Sequence, residues 1–233
     1  MEDKLRRFTD KPIKTHLQRE TDRLKQQLLS LGALAEQNVL KAVRSVSQLD
    51  GKLGQEVIDS DIEVDNREVE LEEECLKILA LYQPVAIDLR IVIAILKMNH
   101  TLERISDLAV NLCDSAIYLS KSQFVEVPFD FRAMAKCVQD MINGSLRSLI
   151  ELDSALAREV ILKDDEVDEF HKEMYKTVYL RMEQNPNQIR ELMNYVMISK
   201  NLERMGDSAQ NIAEDVIYLV EGKIIRHEIQ SHD

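Results

Sequence analysis

The sequence predicts an all-α fold: two tandem, pseudo-symmetric three-helix bundles made of six long helices. Helix-spaced apolar residues run through nearly all of its 233 residues, and only six Gly and four Pro interrupt them. Strand-like alternation of β-branched and aromatic residues is missing. An internal repeat supplies the tandem arrangement. The stretch from Leu102 to Leu119, LERISDLAVNLCDSAIYL, returns from Leu202 to Leu219 as LERMGDSAQNIAEDVIYL.

Taken in order, residues 1 to 12 form a charged leader ending at Pro12. Helix one starts near Ile13 and carries Leu17, Leu24, Leu28, Leu31, Ala35, Val39, Ala42 and Val46 at helical spacing. Leu49, Asp50 and Gly51 break it, and Asp50 suits the N-cap of helix two, about Lys52 to Leu81. Gln83 is a stop and Pro84 a first-turn residue for helix three, about Val85 to Leu119. Ser120 to Pro128 lacks a helical period and reads as a linker. Helix four spans about Phe129 to Leu152, and helix five about Ser154 to Gln184. Helix six, about Asn187 to Gly222, is opened by Asn185 as cap and Pro186 in the first turn, with frayed residues from 223 onward. The expected units are 13–120, a linker 121–128, and 129–224. Shifting the first half by 103 residues places VLKAVRSVSQLD from Val39 on INGSLRSLIELD from Ile142. Asp61, Glu63, Val64 and Asp65 then meet Asp164, Glu166, Val167 and Asp168.

A formal charge of −12 opposes nucleic-acid backbones and anionic lipid surfaces and favours cationic partners or metal ions. Cys75, Cys113 and Cys137 form no C-x-x-C and read as packing residues in a reducing compartment. No run approaches the roughly 18 apolar residues of a membrane span, and the N-terminus lacks an apolar signal region. A soluble cytoplasmic protein is expected, with neither direct membrane insertion nor nucleic-acid binding. Nucleophilic catalysis has no motif: there is no Gly-rich phosphate loop and no G-x-S-x-G. Asp168 and His171 approximate the Glu-x-x-His of di-iron bundles once only. His16, His100, His227 and His232 stand alone without a role, and the methionines read as core.

The chemistry concentrates in acidic rows. At roughly 100° per residue, Glu103, Asp107, Asn111 and Asp114 share an arc of about 80°, as do Glu203, Asp207, Asn211 and Glu214. On helix two Asp61, Asp65, Glu68 and Glu72 share about 60°. That row lies between two apolar strips, one with Ile58, Ile62, Val69 and Leu76, the other with Val64, Leu71 and Ile78, so it is not expected to be a freely solvated face. The second half substitutes His171 and Tyr175 after Asp164 and Asp168. Crowded carboxylates that lose hydration call for a cation. Arg44, Arg90 and Arg104, with Arg147, Arg190 and Arg204, are the internal candidates, and hard metal ions the external ones. Spacing leaves both open beside an ordinary solvated face.

Two three-helix units, each with L-E-R-[IM]-[SG]-D-x-A-x-N in the third helix, and with Pro84-x-x-x-Asp88-Leu89-Arg90 ahead of the first, resemble the PhoU family of phosphate-signalling proteins. The resemblance covers about Leu17 to Leu219. It implies metal clusters, iron among them, on paired E/D-x-x-x-D motifs, with iron, zinc, magnesium and calcium all open. Carried over, the ligands fall on Asp61, Asp65, Glu103 and Asp107, and on Asp164, Asp168, Glu203 and Asp207, with Asn111 and Asn211 supplementary. It also implies a non-enzymatic, cytoplasmic negative regulator of phosphate uptake and of the phosphate-starvation response. Its partners would be the phosphate ABC transporter and a phosphate-sensing histidine kinase, with recruitment to the inner face of the membrane and a homodimeric state. A metal-carboxylate oxidoreductase and a metal-free helical adaptor are the alternatives. Ser106 stands where the family has Gly, as Gly206 does in the second copy, and the second half lacks the D-L-R run.

Overall fold

The computed structural model describes residues 16–123, 125, 126, 129 and 131–225. The predicted leader and the end of the chain from residue 226 lie outside them, as do Pro128 and part of the linker. Among the described residues the regular elements are all helices: α1 (His16–Gln48), α2 (Gly51–Tyr82), α3 (Ala86–Lys121), α4 (Phe131–Glu151), α5 (Ser154–Leu162), α6 (Asp164–Gln184) and α7 (Ile189–Glu221). In α1 the apolar stripe Leu24, Leu28, Leu31, Ala35, Val39, Ala42 and Val46 is buried as its spacing requires. The helices form two bundles, α1 to α3 and α4 to α7, as the repeat predicts.

Both bundles turn their first corner alike. Leu49 and Leu152 adopt left-handed φ of 51° and 53°. The next amide bonds back, Asp50 N–H to the Ser45 carbonyl and Asp153 N–H to the Ser148 carbonyl, each at 2.9 Å. This is the Schellman closure, here built on Leu rather than Gly. Asp50 then caps α2 by accepting from Lys52 and Leu53 N–H, and Asp153 caps α5 by accepting from Ala155 and Leu156 N–H.

Three boundaries differ from expectation. Helix five is interrupted at Lys163, whose N–H donates to the Val160 carbonyl at 3.1 Å in a tighter turn, and α6 restarts with Asp164, Asp165 and Glu166. Three acids in one first turn favour a helix start, because they face exposed amide donors. Pro84 lies before α3, not within its first turn, because left-handed Gln83 ends α2 and extended Val85 precedes Ala86. Asn185 closes α6, its side-chain amide donating back to the Arg181 carbonyl rather than capping the next turn, while Pro186 opens a 3₁₀ turn (Pro186–Gln188) ahead of α7.

The bundles meet along α3 against α7 and α1 against α4. Gly32 marks the second seam: a Cβ there would lie 2.7 Å from Leu146 Cδ2. Across the first, Lys97 Nζ reaches buried Asp215 at 2.6 Å, and both Arg90 and Lys97 stand over the Tyr218 ring. No helix of the described residues is long and apolar enough to cross a membrane.

Candidate functional site

The rows of α2 and α3 meet on one face of the first bundle. Asp61 and Glu103 are half-buried, while Asp65, Asp107 and Asn111 are exposed. Ser106, fully buried on α3, donates its hydroxyl to Asp61 at 2.5 Å. Asn38 of α1 donates to Ser106 at 3.0 Å and accepts from Ser60 at 3.1 Å. Burial raises the Asp61 carboxyl, the Ser106 bond pulls it back, and Asp65 and Asp107 add to the rise. Burial and then Asp107 push Glu103 up to about 6, with His100 opposing. Below them Asn99 donates to the Glu68 carbonyl at 2.8 Å and more weakly to its carboxylate. Glu68 is raised by burial and by Glu72.

The second face keeps the positions and changes the surroundings. Asp164, Asp168, Glu203 and Asp207 are all half-buried and Asn211 is exposed. Asp164 faces Gly206, where a Cβ would lie 3.4 Å from its Oδ1 and 3.7 Å from Met141 Sδ. Burial, followed by Asp207, Asp168, Asp165 and Glu203, pushes Asp164 up to about 7. Asp207 is raised by burial and by Glu203, against the pull of Lys200 and Arg104. Lys200 Nζ holds both carboxylate oxygens of Glu203 at 2.8 Å. His171 shares a hydrogen bond between Nδ1 and Ser199 Oγ at 2.8 Å, and burial lowers its pKa.

The PhoU domain matches this chain twice, over residues 28–116 and 131–216. The chain belongs to the PhoU family. A phosphate-specific transport system accessory protein PhoU homolog of Aquifex aeolicus is 34% identical over 210 residues, covering 90% of this chain and 95% of that protein. The Pseudomonas aeruginosa homolog of the same name is 37% identical over 213 residues, covering 89% and 86%. The crystal structure of PhoU from Pseudomonas aeruginosa superposes with a TM-score of 0.85 at 35% identity, covering 88% of this chain and 98% of that one. The phosphate transport system regulatory protein PhoU from Streptococcus pneumoniae gives 0.80 at 26% identity, covering 90% and 99%.

Each PhoU domain thus presents four carboxylates from two packed helices, with Asn111 or Asn211 further along the third. Hard oxygen donors in such number suit a cation, whose charge would offset the burial and the like-charge repulsion that raise Glu103 and Asp164. Among the described residues no three of these groups close into a ready-made ligand cage. The internal cations differ in part from those expected. Of the six arginines, Arg104 acts on an acidic face, across the seam on Asp207. Arg147 instead pairs with Glu151 on its own helix, and Arg90 covers Tyr218. His100, expected to stand alone, lies 3.7 Å from Glu103. Asn38, Ser60, Asn99 and Ser199 are not singled out by the sequence. The available signal is a polar residue, Asn38, inside the apolar stripe of α1. Of the outer apolar strip of α2, Ile58 packs against the core, whereas Ile62, Val69 and Leu76 face solvent, because α1 and α3 take up Val64, Leu71 and Ile78. Met193 and Met197 are likewise exposed rather than core. The three thiols are buried and raised, Cys75 and Cys113 to about 12 and Cys137 to about 11, as packing residues would be.

Proposed function

We propose that this chain is a cytoplasmic, non-catalytic negative regulator of phosphate uptake and of the phosphate-starvation response. It acts as a homodimer through the phosphate ABC transporter and its sensor kinase, and is recruited to the membrane by them. Membership of the PhoU family and relatives named as phosphate-specific transport system accessory proteins support this role. The carrying observation is the duplicated carboxylate face, retained on both bundles although the residues beneath it differ. Asp61, Asp65, Glu103 and Asp107 would hold metal in the first domain, and Asp164, Asp168, Glu203 and Asp207 in the second, with Asn111 and Asn211 beside them. A bound cation would supply the positive charge that the faces lack. The pairing of Lys200 with Glu203 favours a second reading, an adaptor that neutralises its acids internally.

Deleting the gene should raise phosphate-starvation gene expression in phosphate-replete cells, and unchanged expression counts against the regulatory role. Elemental analysis of protein prepared without chelator should find metal, whereas metal-free protein favours the adaptor.

A further inference from the structure

On the outward side of α2, Ile62, Val69 and Leu76 stand 65%, 52% and 51% exposed. Their seven-residue spacing lines them up along the helix as one apolar strip. At roughly 100° per residue, Asp65 and Glu72 border it on one side and Asp59, Glu63 and Glu70 on the other, all exposed. Lys77 interrupts the second border, and Glu74 holds it at 2.6 Å.

The fold does not demand this strip. At the equivalent positions of the second repeat, 103 residues on, α6 carries Asp165, Lys172 and Tyr179 on a helix packed against the corresponding two neighbours, α4 and α7. Two exposed charged residues there stand where Ile62 and Val69 stand here. Large apolar side chains kept in water where the second copy carries Asp165 and Lys172 mark a contact surface.

We propose that this face of α2 docks an amphipathic helix of a partner protein, whose apolar seam is flanked by Lys and Arg. Heptad spacing matches a helix laid alongside α2. The acidic borders select basic flanks. A second copy docking by the same strip would bring carboxylates against carboxylates, and an anionic membrane surface would be repelled by the same charge. The surface goes beyond the regulatory reading above and needs no metal.

The test places the photo-crosslinker p-benzoylphenylalanine at Val69 of the full-length protein in growing cells, with adducts mapped to the residue by mass spectrometry. The expected adduct lies in a helix of another protein that has an apolar i, i+3/i+4, i+7 seam and flanking Lys or Arg. It should fall at least tenfold with Ile62→Asp, a substitution that copies Asp165 of the second repeat, and equally with Glu63→Lys combined with Glu70→Lys. Both sets of positions are exposed, so an unchanged melting curve confirms folding. Adducts on a second copy of this chain, on lipid or on an acidic segment overturn the proposal. So does a yield no higher than with the probe at Lys172. An adduct of the expected kind on a protein outside phosphate transport sustains the docking surface and counts against the proposed function instead.

Discussion

In the first repeat Asp61 accepts from Ser106, which is held by Asn38, itself bonded by Ser60; in the second, Asp164 faces Gly206 and the thioether of Met141 lies close by. The exchange spans three aligned positions at once, Asn38 for Met141, Ser106 for Gly206 and Ser60 for Lys163. One layer further along, Asn99 with Glu68 becomes Ser199 with His171, and His100 beside Glu103 becomes Lys200 on Glu203. The carboxylates themselves are retained while their supports change. A hydroxyl donor favours an ionised Asp61, whereas an apolar floor and four acidic neighbours keep a proton on Asp164. The same backbone therefore offers two faces with different appetites for a cation.

The largest effect that would sharpen this contrast is metal removal. An ion at a hundredfold excess over its Kd stabilises the native state by about 2.7 kcal/mol. Chelator should accordingly lower the melting temperature of a chain this size by roughly 5 to 10 °C. The first face has Glu68 and Glu72 in reach, and the second has Glu203 already occupied by Lys200, so the first should bind a hard cation more tightly. Asp65→Asn with Asp107→Asn should abolish more of the chelator response than Asp168→Asn with Asp207→Asn. Equal losses would break the comparison, and a parent that melts identically with and without chelator, and carries no metal as prepared, would remove the metal site.

Next in size is the hydroxyl itself. Ser106→Ala deprives Asp61 of a donor and leaves the buried Asn38 amide without its acceptor, at a cost of about 1–3 kcal/mol in chelated protein. Gly206→Ala, its counterpart, removes no bond; helix propensity gains up to about 1 kcal/mol against contacts at 3.4 Å, so it should stay within about 1 kcal/mol of the parent. Urea midpoints measure both. Similar costs at the two positions would show that the Asn38 network is not what separates the faces.

Much of this molecule is legible from periodicity, because a buried helical stripe such as Leu24 to Val46 announces itself and a duplicated sequence announces a duplicated bundle. The N-caps are legible too: Asp50 stands directly after the break in helix one, and Asp153 occupies the aligned position. What period alone cannot assign is which of two apolar strips on one helix finds a neighbour, and so the acidic row between them reads as shielded although Asp65 and Glu72 are exposed. Nor can it show contacts made across the seam. Lys97 and Asp215 align with Met197 and Ser115 in the repeat, so the symmetry that exposes the fold hides that ion pair. The break at Lys163 escapes for a local reason: Asp61 begins the same acidic run within an uninterrupted α2. The carboxylate faces are legible as rows, but the differences between them depend on residues from α1 and α4 that no spacing connects to the rows.

The smallest effect concerns pH and tests the contrast most directly. An unfolded Asp titrates near pH 4, roughly, whereas Asp164 in the native protein titrates at about 7. Between those values the native state holds a proton that the unfolded state has released, so raising the pH through this window favours unfolding. The contribution of Asp164 to stability therefore declines from about pH 4 to about pH 7 and is flat above. Gly206→Ser gives this aspartate a hydroxyl in the position that Ser106 occupies beside Asp61, with a Cβ 3.4 Å from Asp164 Oδ1. A donor to the carboxylate favours the ionised form and lowers the folded pKa, which narrows the window. In chelated protein the substitution should add about 0.5–1.5 kcal/mol at pH 8, where Asp164 is charged in the parent. At pH 5 the parent's Asp164 is protonated and has less use for a donor, so the gain should shrink toward zero. Urea midpoints at the two pH values read the difference. A gain that is the same at both, or larger at pH 5, would mean that the missing hydroxyl is not what sets Asp164 apart from Asp61.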